Sequence, residues 1–373
     1  MPDRVRIGVV GCGLIAQVMH LHYLNELSDR FELAAVCDIS PGLAAGCAER
    51  FGVHRAHVDW ESLLEQDKLD AVLILTSGDH APIALAAARA GLHVFVEKPM
   101  ALSSQSAEEV VRAADDAGVL LMVGMMKRYD PAYERLSVLL PSVQDLRLVR
   151  VTTLESPLEP YVAHYPMLRG GGPPDTVIDG LRLAEERELD LALGDADDAT
   201  RWCYRWILLD NLVHELNVLR GVLGEPTEIR SADLSRRCAS VCLRFGEVDC
   251  HLSWVDLPGI ARYQQEFAFY APDQRLTLAL PSPFLRSMPS KLILEGGGPG
   301  TSDSWRQEEI VSFEEAFKRE LIEFADCVTT GRSPRTPGTD GLADLHLCEA
   351  IARAHQARHP ERLAAEVNVG GPA

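Results

Sequence analysis

An apolar stretch from Arg4 to Val10 runs directly into Gly11-Cys12-Gly13-Leu14-Ile15-Ala16, and a helical pattern follows from Gln17 to about Leu27. A glycine turn between a strand and a helix is how a parallel α/β sheet receives a dinucleotide. Gly11 permits the tight turn, Gly13 lets the backbone approach a pyrophosphate, and Ala16 is small enough for the helix to sit against the strand. The helix start adds free amides and the positive end of its dipole. Gly11, Gly13, Leu14 and Ile15 are therefore expected against the cofactor.

The next strand, Phe31 to Cys37, ends in Asp38, 25 residues beyond Gly13. An acidic residue there accepts hydrogen bonds from a ribose diol and repels a 2′-phosphate. Ile39 follows, so no adjacent arginine neutralises an extra phosphate; NAD is favoured, with NADP possible. Asp38 also suits an N-cap for a helix beginning near Pro41. The alternation continues through a helix at Trp60–Gln66, a strand at Ala71–Leu75, a helix at His80–Ala90, a strand at Leu92–Val96, a helix at Ser104–Ala117 and a strand at Leu120–Met125. Strands alternating with helices in this way over about 125 residues predict a doubly wound Rossmann sheet. Thr76, Ser77 and His80 fall at one strand end of its crevice and should line the cofactor. The strand Leu92–Val96 ends in Glu97-Lys98-Pro99, which projects an ammonium into the same crevice, so Glu97 and Lys98 are also expected against the cofactor.

Beyond Met125 the pattern changes to alternating stretches, Arg147–Leu154, Ala239–Phe245, Asp249–Trp254 and Gln265–Tyr270, which predict a mostly antiparallel sheet. The expected architecture is α/β followed by α+β: a Rossmann domain at 1–125 and an open-sheet substrate and oligomerisation domain at 126–373. Helices at Phe313–Thr329 and Gly341–Gln356 should pack back on the first domain. An uncovered sheet face suits a homo-oligomer, dimer or tetramer. Residues from about 155 to 205 read as an inserted segment over the substrate site. Its acidic run from Glu185 to Asp198 either attracts an amino sugar or aminocyclitol or is a solvated helix. Asp210 and His214, four residues apart, share a helical face, where an aspartate can orient an imidazole for base catalysis or serve structure alone.

With 55 acidic against 36 basic side chains the net charge is −19, which repels nucleic acid and anionic lipid. No apolar run approaches the roughly 20 residues that span a bilayer, and Met1 to Arg6 opens straight into a strand, so a cytoplasmic protein is expected. Nine cysteines include no CxxC pair and read as reduced thiols. Cys238, Cys242, Cys250 and His251 come nearest to a metal cluster, but strand spacing accounts for them, and no metal is expected.

Taken together, Gly11 to Ala16, Asp38, Glu97-Lys98-Pro99, Met126-Lys127-Arg128-Tyr129-Asp130, and Asp210 with His214 ahead of Leu219-Arg220-Gly221 resemble the glucose-fructose oxidoreductase, inositol dehydrogenase and rhizopine-catabolism (Gfo/Idh/MocA) family. The resemblance implies a lysine, an aspartate and a histidine around the reacting carbon of a sugar or cyclitol. Lys98 would polarise the carbonyl oxygen, His214 would take the hydroxyl proton, and Asp210 would position the imidazole or the substrate. Arg128 and Tyr129 would reach substrate hydroxyls, or else form an interdomain salt bridge and a buried ring. Three departures stand out. Ser77-Gly78 replaces a Pro-Asn turn, His214-Glu215 replaces a His-Asp doublet, and no glycine run precedes Asp210. The implied activity is an NAD(P)-dependent dehydrogenase or ketoreductase of a sugar, sugar derivative or cyclitol. A redox-assisted lyase or glycosidase with retained NAD, and a regulator that senses dinucleotide and sugar, are the alternatives.

Overall fold

The computed structural model describes residues 4–358 apart from 67, 174, 299 and 301; Met1–Asp3, at the head of the expected first strand, lie outside the described residues. Six strands form the first sheet: β1 (Val5–Val10), β2 (Phe31–Cys37), β3 (Arg55–His57), β4 (Ala71–Ile74), β5 (His93–Glu97) and β6 (Leu121–Gly124). All pairings are parallel, in the order β3-β2-β1-β4-β5-β6. Strands β4 and β6 are buried along their whole length, as expected of strands covered by helices on both faces. Between β1 and β4 the strand order reverses, and the crevice outside their carboxyl ends is where such sheets bind ligands. The edge strand β3 is three residues long and mostly exposed, so no apolar run marks it in the sequence.

The second sheet holds β7 (Leu148–Glu155), β8 (Glu228–Leu234), β9 (Cys238–Phe245), β10 (Val248–Asp256), β11 (Gln264–Tyr270), β12 (Gln274–Leu280), β13 (Lys291–Gly297) and β14 (Ser304–Glu309). Its order is β14-β13-β12-β11-β7-β10-β9-β8, antiparallel except for the parallel pair β7 and β10. Strand β9 alternates buried and less buried positions, the signature of a sheet packed on one side.

The segment after β7 carries helices at Glu159–Val162, Asp175–Leu193 and Asp198–Cys203, then a π-wound turn of helix at Tyr204–Leu212 that passes into a helix at Val213–Leu223. Phe317, Leu321 and Phe324 of the helix Ala316–Thr330 join the core of the first sheet beside Val9 and Phe95. The helix Gly338–Arg358 touches both the helix Ser104–Ala117 and strand β8, tying the two sheets together. The nine cysteines are thiols outside any disulfide, and most are buried. Among the described residues no helix is long and apolar enough to cross a membrane.

Candidate active site

The glycine turn has the shape a dinucleotide needs. Gly11 sits at φ +98°, and a Cβ there would lie 2.6 Å from both the Leu75 carbonyl carbon and the Thr76 nitrogen, so only glycine fits. A Cβ on Gly13 would meet nothing within 4 Å, which leaves open space at the helix start, with Leu14 and Ile15 half-buried beside it. Asp38 Oδ2 accepts from the Cys12 amide at 2.9 Å and its Oδ1 from the Ser40 amide at 2.8 Å. The carboxylate therefore braces the glycine turn against the end of β2, while Ser40 occupies the N-cap of the helix Pro41–Phe51. A cradle closed to any side chain, an open helix start and a carboxylate beside them fit a dinucleotide.

Two residues expected to line the cofactor do something else. His80 is buried, with Nδ1 2.7 Å from the Pro99 carbonyl and Nε2 2.6 Å from the Thr76 carbonyl. Its ring clamps the ends of β4 and β5 together instead of facing the crevice. Thr76 is half-buried and Ser77 exposed at this strand end. Glu97 is buried too: Oε1 lies 2.6 Å from His20 Nε2, and Oε2 accepts from the Lys98 amide at 3.1 Å. Burial would raise this carboxyl, but the hydrogen bond from His20 holds it below the usual range. Glu320 lies against the pair, fully buried and without a hydrogen-bond partner; burial and the charge of Glu97 push it well above the usual range, to a neutral acid. Among the described residues His20, Glu97 and Glu320 are the group whose ligand atoms come close enough to hold a metal, and the cysteines of β9 and β10 are not.

Lys98 and Asp210 meet across the two halves. Lys98 Nζ donates to the Asp210 carbonyl at 2.5 Å and lies 3.4 Å from its Oδ1. The lysine side chain is mostly buried, whereas the aspartate side chain is 50% exposed. No hydrogen bond joins Asp210 to His214 among the described residues, contrary to the expected orienting pair. The helix is π-wound up to Leu212, and the i→i+5 winding alters the angle between positions four apart. His214 is half-buried with an unpartnered Nδ1. Burial, followed by the charges of Lys127 and Lys98, depresses its pKa well below the ordinary value, leaving a neutral imidazole at neutral pH.

Lys127 is the group sequence reading passed over. It is buried, and its pKa falls to about 8 because burial and the charge of Lys98 outweigh the attraction of Glu215 and Glu155. Glu215 Oε1 in turn accepts from Thr153 Oγ1 at 2.6 Å and Gln265 Nε2 at 2.5 Å, so β7 and β11 supply a polar floor. The residues Met126–Tyr129 form a 3-10 turn, in which neighbours diverge sharply, and the lysine takes the inward position. Arg128 points away to the Asn217 carbonyl at 3.2 Å and to Asp340 at 3.7 Å. Tyr129 is fully buried, with its hydroxyl 2.9 Å from Thr336 Oγ1 and Arg335 over its ring. The expected substrate contacts of Arg128 and Tyr129 are thus replaced by the ion pair and the buried ring. Only their position inside the crossing motif, not any periodicity, hinted at Lys127.

Residues 5–125 match the family model of the Gfo/Idh/MocA proteins, described as an oxidoreductase family with an NAD-binding Rossmann fold. The chain is 24% identical over 369 residues to a myo-inositol 2-dehydrogenase of Thermotoga maritima, covering 96% of this chain and 98% of that protein. It is 37% identical over 140 residues to an inositol 2-dehydrogenase of Saccharopolyspora erythraea, covering 37% of this chain and 41% of that protein. The fold is shared with a 3-ketoreductase from Actinomadura kijaniata solved with TDP-benzene and NADP, at a TM-score of 0.71 and 22% identity over 94% of this chain and 98% of that one. Residues 5–125, with their glycine turn, thus carry the NAD-binding Rossmann domain of the Gfo/Idh/MocA oxidoreductases, and the chain is similar along almost its whole length to an inositol dehydrogenase.

Proposed function

We propose that the chain transfers a hydride between a nicotinamide dinucleotide and a secondary alcohol or ketone of a sugar, sugar derivative or cyclitol, with Lys98, Asp210 and His214 at the reacting carbon. The observation that carries this reading is the 2.5 Å contact from Lys98, at the end of a Rossmann strand, to Asp210, on a helix of the other half. Inositol and sugar-nucleotide enzymes among the relatives support the substrate class. The bound cofactor would supply the hydride acceptor at C4 of its ring. Lys98 would donate a hydrogen bond to the substrate oxygen, stabilising the negative charge that builds there as the alcohol is oxidised. His214, kept neutral by its surroundings, would take the hydroxyl proton, and the exposed carboxylate of Asp210 would hold a neighbouring hydroxyl. NAD would be preferred over NADP, because the Asp38 carboxylate at the end of β2 would accept hydrogen bonds from a ribose diol and repel a 2′-phosphate. A second copy of the chain would cover the open sheet, where Trp305 on the edge strand β14 is exposed.

A screen of sugars and cyclitols read at 340 nm tests the reading. One or more compounds should yield NADH, and Lys98→Met should cut kcat by about a hundredfold or more while NADH affinity holds. No turnover of any compound despite tight nucleotide and sugar binding would point to a sensor instead.

A further inference from the structure

The segment between β7 and the π-wound helix does not stay over the second sheet; it reaches across the first. On one side of the crevice the Leu168 amide donates to Gln17 Oε1 at 2.8 Å. Gln17 Nε2 donates to the Leu168 carbonyl at 3.2 Å and to the Cys12 carbonyl, inside the glycine turn, at 2.9 Å. Ser40 Oγ, two residues past Asp38, donates to the Gly171 carbonyl at 2.5 Å, and Arg50 to the Pro166 carbonyl at 2.6 Å. The fit is close enough that a Cβ on Gly170 would stand 2.9 Å from the Leu43 nitrogen. On the other side Glu188 accepts from Ser103 Oγ at 2.6 Å and Ser106 Oγ at 2.7 Å, just beyond Lys98-Pro99. Glu185, ion-paired to Arg205, lies against Gly78 at the end of β4, where a Cβ would be 2.8 Å from its carboxylate. The chain thus passes over the carboxyl edge of the sheet and is pinned to the nucleotide-binding half at both ends, while Gly13 beneath faces open space.

We propose that residues 165–171 form the outer wall of the adenosine subsite, and that the dinucleotide is enclosed beneath this segment and leaves only when it lifts. The proposal rests on the dinucleotide reading above. The carboxylate of Glu185 takes up the room beside Gly78, which sits at φ +93°. Such an enclosure predicts nucleotide release that is slow because protein contacts must break first, a gating step of the kind that limits many enzymes.

The test is a stopped-flow chase in which NADH-loaded protein is mixed with excess NAD and the loss of NADH fluorescence is followed. Arg50→Ala/Leu168→Ala removes one tether and one apolar anchor while sparing the glycine turn, Asp38 and the residues at the reacting carbon. Release should quicken by about tenfold, the change expected for losing one net hydrogen bond. Equal rates in variant and parent would overturn the wall while leaving the dinucleotide site standing. Failure of the parent to bind NADH would overturn both. Hydrogen exchange on the unmutated protein gives an independent readout: saturation with NADH should slow exchange of the Leu168 amide, and unchanged exchange would reject the enclosure even if the double variant does not fold.

Discussion

Burial, and then the charges of Lys127 and Lys98, act on one imidazole at the candidate site. All three lower the pKa of His214, so the ring remains an unprotonated base well below pH 6.5. Lys127 itself loses its proton near pH 8 instead of at the ordinary value of 10.5. The sign follows directly: its positive charge is present below pH 8 and gone above it. Alcohol oxidation should therefore show no acid limb near pH 6.5 and a decline in kcat/KM through pH 8. The Lys127→Met variant should lose the limb at pH 8 and run at a lower, flatter rate. A pH–rate profile of the two proteins checks this, and a limb that survives the substitution would assign the ionisation elsewhere.

At the scale of elements, the glycine turn is the part whose local sequence and local shape agree most fully. Gly11 is needed both for its positive φ and for its contact with the end of β4. Gly11→Ala should cost about 1–3 kcal/mol of stability from backbone strain and weaken NADH binding as the turn shifts. Denaturant unfolding and a fluorescence titration measure the two effects. The repeating βα pattern, the Glu97-Lys98-Pro99 strand end and the alternation of β7, β9, β10 and β11 were all readable, because each depends on periodicity within a few residues. Strand β3 was not, since an exposed edge strand needs no apolar run. The inward turn of Lys127 and the outward turn of Arg128 were equally hidden, because a short 3-10 segment carries no repeat long enough to define a face. Asp210 and His214 were found by spacing, but the π winding between them undid the pairing that the spacing suggested.

Across the whole molecule, the two sheets are joined through charge as well as through apolar packing. Arg220, on the helix Val213–Leu223 that carries His214, is buried and reaches Asp344 at 2.5 Å and Asp340 at 3.2 Å on the helix Gly338–Arg358. That second helix packs on Ser104–Ala117, the helix that follows Lys98 in the chain. Arg220→Met leaves the buried Asp344 carboxyl without its charged partner and held only by the Asn217 amide, and should lower stability by about 3–5 kcal/mol. Thermal or denaturant unfolding reads that loss, and a change under 1 kcal/mol would mean the helices are held by apolar contacts alone. What the chain specifies by itself is local: a glycine turn, strand ends bearing charge, and the alternation that divides a parallel sheet from an antiparallel one. These are set by sterics and by burial patterns that repeat every two to four residues. Which charged groups converge is another matter. Lys98 meets Asp210, and the inserted segment lies over the glycine turn, only after distant parts of the chain pack. Contacts between residues more than a hundred positions apart leave no period in the sequence, so tertiary structure alone decides them.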